Sequence, residues 1–172
     1  MTDPCETIMN HRALRFFSLL LVALGLAPGA AHLLELPVKL GYTPEQYFAV
    51  TSTLYRLFGS VGAAVQVGAL ILTGVLAFVS RGLPASRFVG AAVLLLCFSL
   101  LAWGILVAPV NAQWSEAIKS GSQSLPNLYA ELRWRWEYGH TAAFAFWLAA
   151  YGSLQWFTLR SDSLATSGKN VV

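Results

Sequence analysis

Four stretches of this chain contain no Asp, Glu, Lys or Arg: Phe16–Leu34, Leu57–Ser80, Phe88–Ser115 and Tyr138–Leu159, of 19, 24, 28 and 22 residues. About 20 apolar residues in a helix cross a bilayer core of about 30 Å, so each stretch reads as one membrane span. Composition points the same way: of 172 residues, 56% are hydrophobic and 11% charged, against about 25% charged in soluble domains. No repeat, linker or low-complexity block divides the chain. The expectation is one all-α domain over residues 1–172, a four-transmembrane-helix bundle running up-down-up-down. Its spans are about 13–36, 53–80, 87–109 and 138–159, with outer loops at 37–43 and 110–127.

The few charges set the orientation. Arg12, Arg15, Arg81, Arg87, Arg160 and Lys169 share one side with Asp3, Glu6 and Asp162, a net of +3. The other side holds Lys39, Arg56, Lys119, Arg133 and Arg135 against Glu35, Glu45, Glu116, Glu131 and Glu137, a net of zero. Short loops rich in Lys and Arg stay cytoplasmic, so both termini are expected in the cytoplasm. No basic cluster suits a nucleic-acid groove. A cleaved signal peptide is the competing reading of the N-terminus, with Gly29-Ala30-Ala31 as cleavage site. The apolar run continues through Leu33, Leu34 and Leu36, which favours a retained helix. Cys5 in the tail and Cys97 within a span form neither a disulfide pattern nor a metal spacing.

Helix boundaries follow from punctuation. Pro37 is expected to stop the first helix near Glu35, and Pro28 to kink it. Thr43-Pro44-Glu45-Gln46 is a capping box that starts a second helix reaching about Ser80, with a bend near Gly59. The third helix is expected to run from about Ala85 to Pro109, and Asn127 to cap the fourth. The small residues of the second helix, Gly59, Gly62, Ala63, Ala64, Gly68 and Gly74, and those of the first, Ala27, Gly29, Ala30 and Ala31, are expected to let helices approach closely. Gln66 reads as interhelical glue. Most of Trp114, Trp134, Trp136 and Trp156 are expected in interfacial belts.

The ionisable residues kept at the outer ends of the spans are the candidate site. His32 is followed three residues later by Glu35, and His140 is preceded by Glu137 at the same spacing, so each pair shares a helix face. Tyr55, Arg56 and Asn111 fall at a similar depth. Three accounts are open. In the first, Glu35 and Glu137 pair with Arg56, Arg133 or Lys39 in a structural network. In the second, His32, Glu35, Glu137 and His140 hold a metal, as carboxylates and imidazoles do inside four-helix bundles. A haem held without covalent attachment between His32 and His140 is a variant of that account. In the third, the layer is a metal-free pocket in which a histidine or carboxylate acts as general base on a lipid-soluble substrate. No Walker loop or GxSxG motif points elsewhere.

The blocks Ala31-His-Leu-Leu-Glu-Leu-Pro-Val-Lys-Leu-Gly-Tyr42, Leu54-Tyr-Arg56, Pro109-Val-Asn111 with Trp114, and Leu132-Arg-Trp-Arg-Trp-Glu-Tyr-Gly-His140 carry a resemblance. Over roughly residues 14–158 the chain resembles the anthrone-oxygenase-like family of small four-helix membrane proteins, and is most similar to its uncharacterised bacterial members. The resemblance implies a four-helix membrane domain and, for some relatives, oxygenation of an aromatic polyketide without a conventional flavin or haem. The expected function is thus a small-molecule site at the outer end of the bundle, with an anthrone-oxygenase-like oxidoreductase as its enzymatic form. There His140 or Glu137 abstracts a proton from an enolisable aromatic and Arg56 stabilises the enolate. His32, Glu35, Tyr55, Asn111, Trp114 and Arg133 line the site. The alternative is a non-enzymatic accessory subunit, or a binder of lipids or quinone-like ligands, whose outer layer is a salt-bridge network.

Overall fold

The computed structural model describes the backbone of residues 4–167 and the side chains of residues 12–55 and 58–161. The Arg56 side chain lies outside the described residues, as do those of Asp3, Cys5, Glu6, Asp162 and Lys169. The described chain is all-helical: α1 (Pro4–Lys39), α2 (Pro44–Leu54), α3 (Arg56–Val79), α4 (Ser86–Ala102), a π-helical turn (Trp103–Val107), α5 (Ala108–Lys119) and α6 (Leu125–Ser167). Three segments are long and apolar enough to cross a membrane: Arg12–Lys39, Phe58–Val79 and Ser86–Lys119. Only 17%, 17% and 22% of their most apolar windows is buried, so most of the apolar surface faces outward, as lipid as solvent requires. The fourth charge-free stretch lies in α6 and is not among these segments. His140, Thr141, Gln155 and its Tyr and Trp residues dilute its hydropathy.

The helices form a ring in which α1 packs on α3 and α6, and α4 packs on the same two. The end of this ring that bears α2 and α5 is called outer below. In the inner half, Val22, Ala69, Leu76, Leu96, Leu154 and Phe157 form an apolar core. Two hydrogen bonds tie its helices: Trp147 Nε1 donates to the Val22 carbonyl at 2.7 Å, and Ser99 Oγ to the Ala143 carbonyl at 2.8 Å. The outer half has a second core, of Tyr47, Tyr55, Val107, Val110, Trp114, Tyr129 and Trp136.

Several expected boundaries move. Helix α1 passes through Pro37 and ends at Lys39. Arg133 caps it, one guanidinium nitrogen donating to the carbonyls of Lys39, Leu40 and Tyr42 at 3.1, 3.2 and 3.1 Å. The Lys39 carbonyl also accepts from Tyr42 N–H, whereas those of Leu40 and Tyr42 are satisfied by Arg133 alone, and this cap offsets the hydrogen bond that Pro37 removes. The Thr43–Gln46 capping box forms as expected. The helix it starts breaks at Tyr55 rather than near Gly59, so α2 is a separate outer helix. The third helix does not end at Pro109. Pro109 has no N–H to donate to the Ile105 carbonyl, so the ladder loosens into the π turn and resumes as α5. Arg135 Nη2 takes up the Ile105 carbonyl at 2.9 Å. Most of the expected outer loop 110–127 is therefore helical. Asn127 lies inside α6, whose first helical bond runs from Leu128 N to the Ser124 carbonyl.

The glycines meet the expectation of close approach in part, at Gly29 of α1 and at Gly68 of α3, where a Cβ would lie 3.1 Å from Leu21. A Cβ on Gly25 would lie 2.3 Å from the Trp147 ring, one on Gly29 2.6 Å from Phe144, and one on Gly139 2.7 Å from Val107. With Gly68 these are the close approaches, between α1 and α6, between α6 and the π turn and between α3 and α1. Gly59 and Gly62 of α3 meet nothing within 4 Å. They border open space.

Candidate functional site

Helix α1 keeps its 3.6-residue period through Lys39, so His32, Glu35 and Lys39 rise on one face. The Lys39 ammonium is buried at the centre of the outer polar layer. It donates to Glu137 Oε2 at 2.9 Å and to His32 Nδ1 at 3.4 Å, and lies 3.7 Å from Glu35 Oε2. Its Nζ also sits 5.0 Å from the centroid of the Tyr55 ring and 5.6 Å from that of Trp136. Tyr47 donates to the other oxygen of Glu137 at 3.1 Å, and Tyr55 donates to Glu35. An acceptor at His32 Nδ1 places that ring's remaining N–H on Nε2. Burial, then the adjacent Glu137 carboxylate, pushes the Tyr47 phenol above its ordinary value, and burial does the same to Tyr129.

His32 and His140 come together as the sequence suggests, but as a stack. Their ring centroids are 4.2 Å apart and their planes 19° from parallel. Imidazole lone pairs lie in the ring plane, so two stacked rings cannot both point at one ion or ligate a haem iron from opposite sides. Lys39 holds the cationic place between the carboxylates. Among the described residues, no group of three His, Cys, Asp or Glu side chains is placed to hold a metal ion. The candidate metal set of His32, Glu35, Glu137 and His140 therefore does not fit one.

Beside the stack opens a cavity of about 520 Å³. His32, Tyr55, Asn111, Trp114 and His140 border it, while Glu35, Glu137 and Arg133 do not. Its outer walls are aromatic. Trp136 packs edge-on to His140 with centroids 4.4 Å apart, and Trp114 stacks on Tyr129 at 4.0 Å and 7°. Trp136 Nε1 donates to Asn111 Oδ1 at 2.9 Å, which leaves the Asn111 amide nitrogen as donor. Trp114 Nε1 is buried with no hydrogen-bond partner. Thus Trp114 and Trp136 turn inward, whereas Trp134 and Trp156 stay about half exposed, as belt residues do. The cavity continues down α3 past Gly59 and Gly62 to Gln66, which borders space rather than gluing helices. From Tyr55 to Gln66 that is about 16 Å of helix at about 1.5 Å per residue.

The expected pairing of Glu35 and Glu137 with Lys39 is present, but the sequence offers Lys39 only as one of three partners and not as the hub, because Pro37 is expected to end the helix before it. The seven-residue spacing from His32 and four-residue spacing from Glu35 carry the signal. Tyr47 and Tyr129 were missed because isolated tyrosines have no local pattern. No family model, curated protein or solved structure matches this chain.

Proposed function

We propose that this chain is a four-span membrane protein of the bacterial inner membrane with both termini cytoplasmic, and that its outer half binds a lipid-soluble aromatic molecule. The observation that carries the reading is the aromatic-walled cavity of about 520 Å³ bordered by His140, a volume within the ~300–1,000 Å³ of small-molecule sites. Indole and phenol faces favour a flat ring, and the Trp114 N–H favours a ligand with an acceptor oxygen. The Lys39–Glu137 pair lies behind the site. It positions His32, and His32 in turn supports the His140 ring.

Resemblance to the anthrone-oxygenase-like proteins extends the proposal to chemistry. His140 would take a proton from an enolisable aromatic ketone, and dioxygen would then convert the activated CH2 to a carbonyl with release of water. Glu137 is less suited to that step, since both of its oxygens are engaged. The rival, non-enzymatic reading draws on the same mutual satisfaction of Lys39, Glu35, Glu137, Tyr47 and Tyr55.

Quenching of tryptophan fluorescence by a naphthoquinone, with the protein in nanodiscs, tests the binding reading. Wild type should quench saturably, and G62L should abolish saturation by filling the cavity. The same substitution at Gly74, which also meets nothing within 4 Å but does not border the cavity, should leave saturation unchanged. Non-saturable quenching in wild type would refute the reading.

A further inference from the structure

A second space adjoins the first. It measures about 260 Å³ and lies between α1 and α3, bordered by Leu24, Ala27 and Pro28 on one side and Phe58, Val61 and Val65 on the other. Gly25, Pro28, Phe58, Gly62 and Gln66 border both spaces, so the two meet at these residues. The smaller one carries no charged side chain, and Gln66 alone adds a polar side chain to its wall. Its rim faces outward from the bundle: Leu24 is 51% and Val61 60% exposed, within the segments long and apolar enough to cross a membrane. The slot exists for a local reason. Gly62 supplies no side chain, and a Cβ there would meet nothing within 4 Å.

The two spaces differ in chemistry along one path. The outer end offers aromatic faces, the Trp114 N–H and the Asn111 amide, all suited to a carbonyl-bearing ring. The slot offers only aliphatic and aromatic carbon beside one carboxamide. A path about 16 Å long along α3, at about 1.5 Å per residue, is longer than a single ring needs. From this adjacency we infer that the ligand is a carbonyl-bearing aromatic with an aliphatic tail, its head in the outer cavity and its tail leaving through the α1–α3 slot into the bilayer. The inference rests on the cavity reading above and names the ligand class.

Lipid solvates an alkyl chain as well as the slot does, so the slot does not add affinity. It removes a steric barrier: without it, the head could enter only if the tail were folded into the aromatic cavity. The slot therefore selects by tolerating a tail.

Two probes separate the possibilities: a methyl-substituted naphthoquinone and the same ring system bearing a decyl chain. Binding is read by saturable tryptophan quenching in nanodiscs, with each probe expressed as its mole fraction in the lipid. Wild type should bind both with similar affinity. A27F on α1 and V65F on α3, which border the slot but not the main cavity, should each weaken the decyl probe by about tenfold or more, the size of an overpacking penalty. The short probe should bind both variants as it binds wild type. If wild type binds the short probe and rejects the decyl one, the slot is no exit for a tail and the inference falls while the cavity reading stands. It also falls if the folded variants lose both probes equally or neither. If wild type binds neither probe, both readings fall together.

Discussion

The inner and outer halves of the molecule solve opposite problems. The inner half is held by close apolar packing, with Gly25 and Gly29 letting Trp147 and Phe144 of α6 sit against α1. Its interhelical hydrogen bonds run from a side chain to a carbonyl, as in Trp147 to Val22. The outer half buries an ammonium, a carboxylate, three phenols and one imidazole of a stacked pair, and leaves a cavity beside them. In lipid, apolar contact alone gives helices little preference for each other, so packing precision must do so in the inner half. Buried charge in the outer half specifies position, because each charge is tolerable only with its partners in place. The molecule is rigid by shape at one end and by polarity at the other.

That contrast can be broken most severely at Lys39. Lys39→Met leaves Glu137 buried without its cation, which should destabilise the protein by ~3–5 kcal/mol. The Lys39→Met, Glu137→Leu double variant should recover most of that loss, because an apolar pair needs no compensation. Chemical denaturation in detergent measures both. If the single variant proves as stable as wild type, the outer half is not held by its charges. In the inner half, Leu154→Ala should cost at or below the ~2 kcal/mol lower end of soluble-core truncations, since lipid replaces no hydrophobic driving force.

Next in size is the glycine comparison. Gly25→Ala should cost ~1–3 kcal/mol by pressing on Trp147. Gly62→Ala should be neutral or stabilising by up to ~1 kcal/mol through helix propensity. Equal effects at the two positions would erase the distinction between packed and open glycines. Smaller again is Tyr47→Phe, which strips one hydrogen bond from a buried carboxylate and should cost ~1–3 kcal/mol, toward the lower end because Lys39 remains.

The smallest expected effect is on pH dependence. Tyr47 and Tyr129 have folded-state values raised above the ordinary 10.0. Folding therefore favours their protonated forms, and the stability this contributes is present below about pH 10 and lost as pH rises above it. The Tyr47→Phe, Tyr129→Phe double variant should flatten the alkaline limb of a stability-versus-pH curve. An unchanged limb would mean that other groups set it.

The sequence made the helices legible because a run without charge is a strong and local signal. The equal depth of His32 and His140 was legible too, since span ends can be counted. Their stacking was not, because it depends on helix rotation, which no local pattern encodes. Lys39 was hidden by a sound rule applied at its weakest point. A proline in the last turns of a helix forfeits one hydrogen bond, and Arg133, 94 residues away from Lys39, supplies the cap that makes continuation favourable. The openness at Gly59 and Gly62, against the close packing at Gly68, was likewise invisible, since a small residue admits either a neighbour or a void.

The π turn at Trp103–Val107 has a consequence of its own. One extra residue in a helical turn advances everything after it by about 100° around the axis, at 3.6 residues per turn. The turn thus works as a phase coupling between two stretches of one rod: α4 keeps its own angular setting against the inner core while α5 is reset to present Asn111 and Trp114 to the cavity. Winding the same residues as an unbroken α-helix would leave the inner half meshed and swing the outer wall away from its partners.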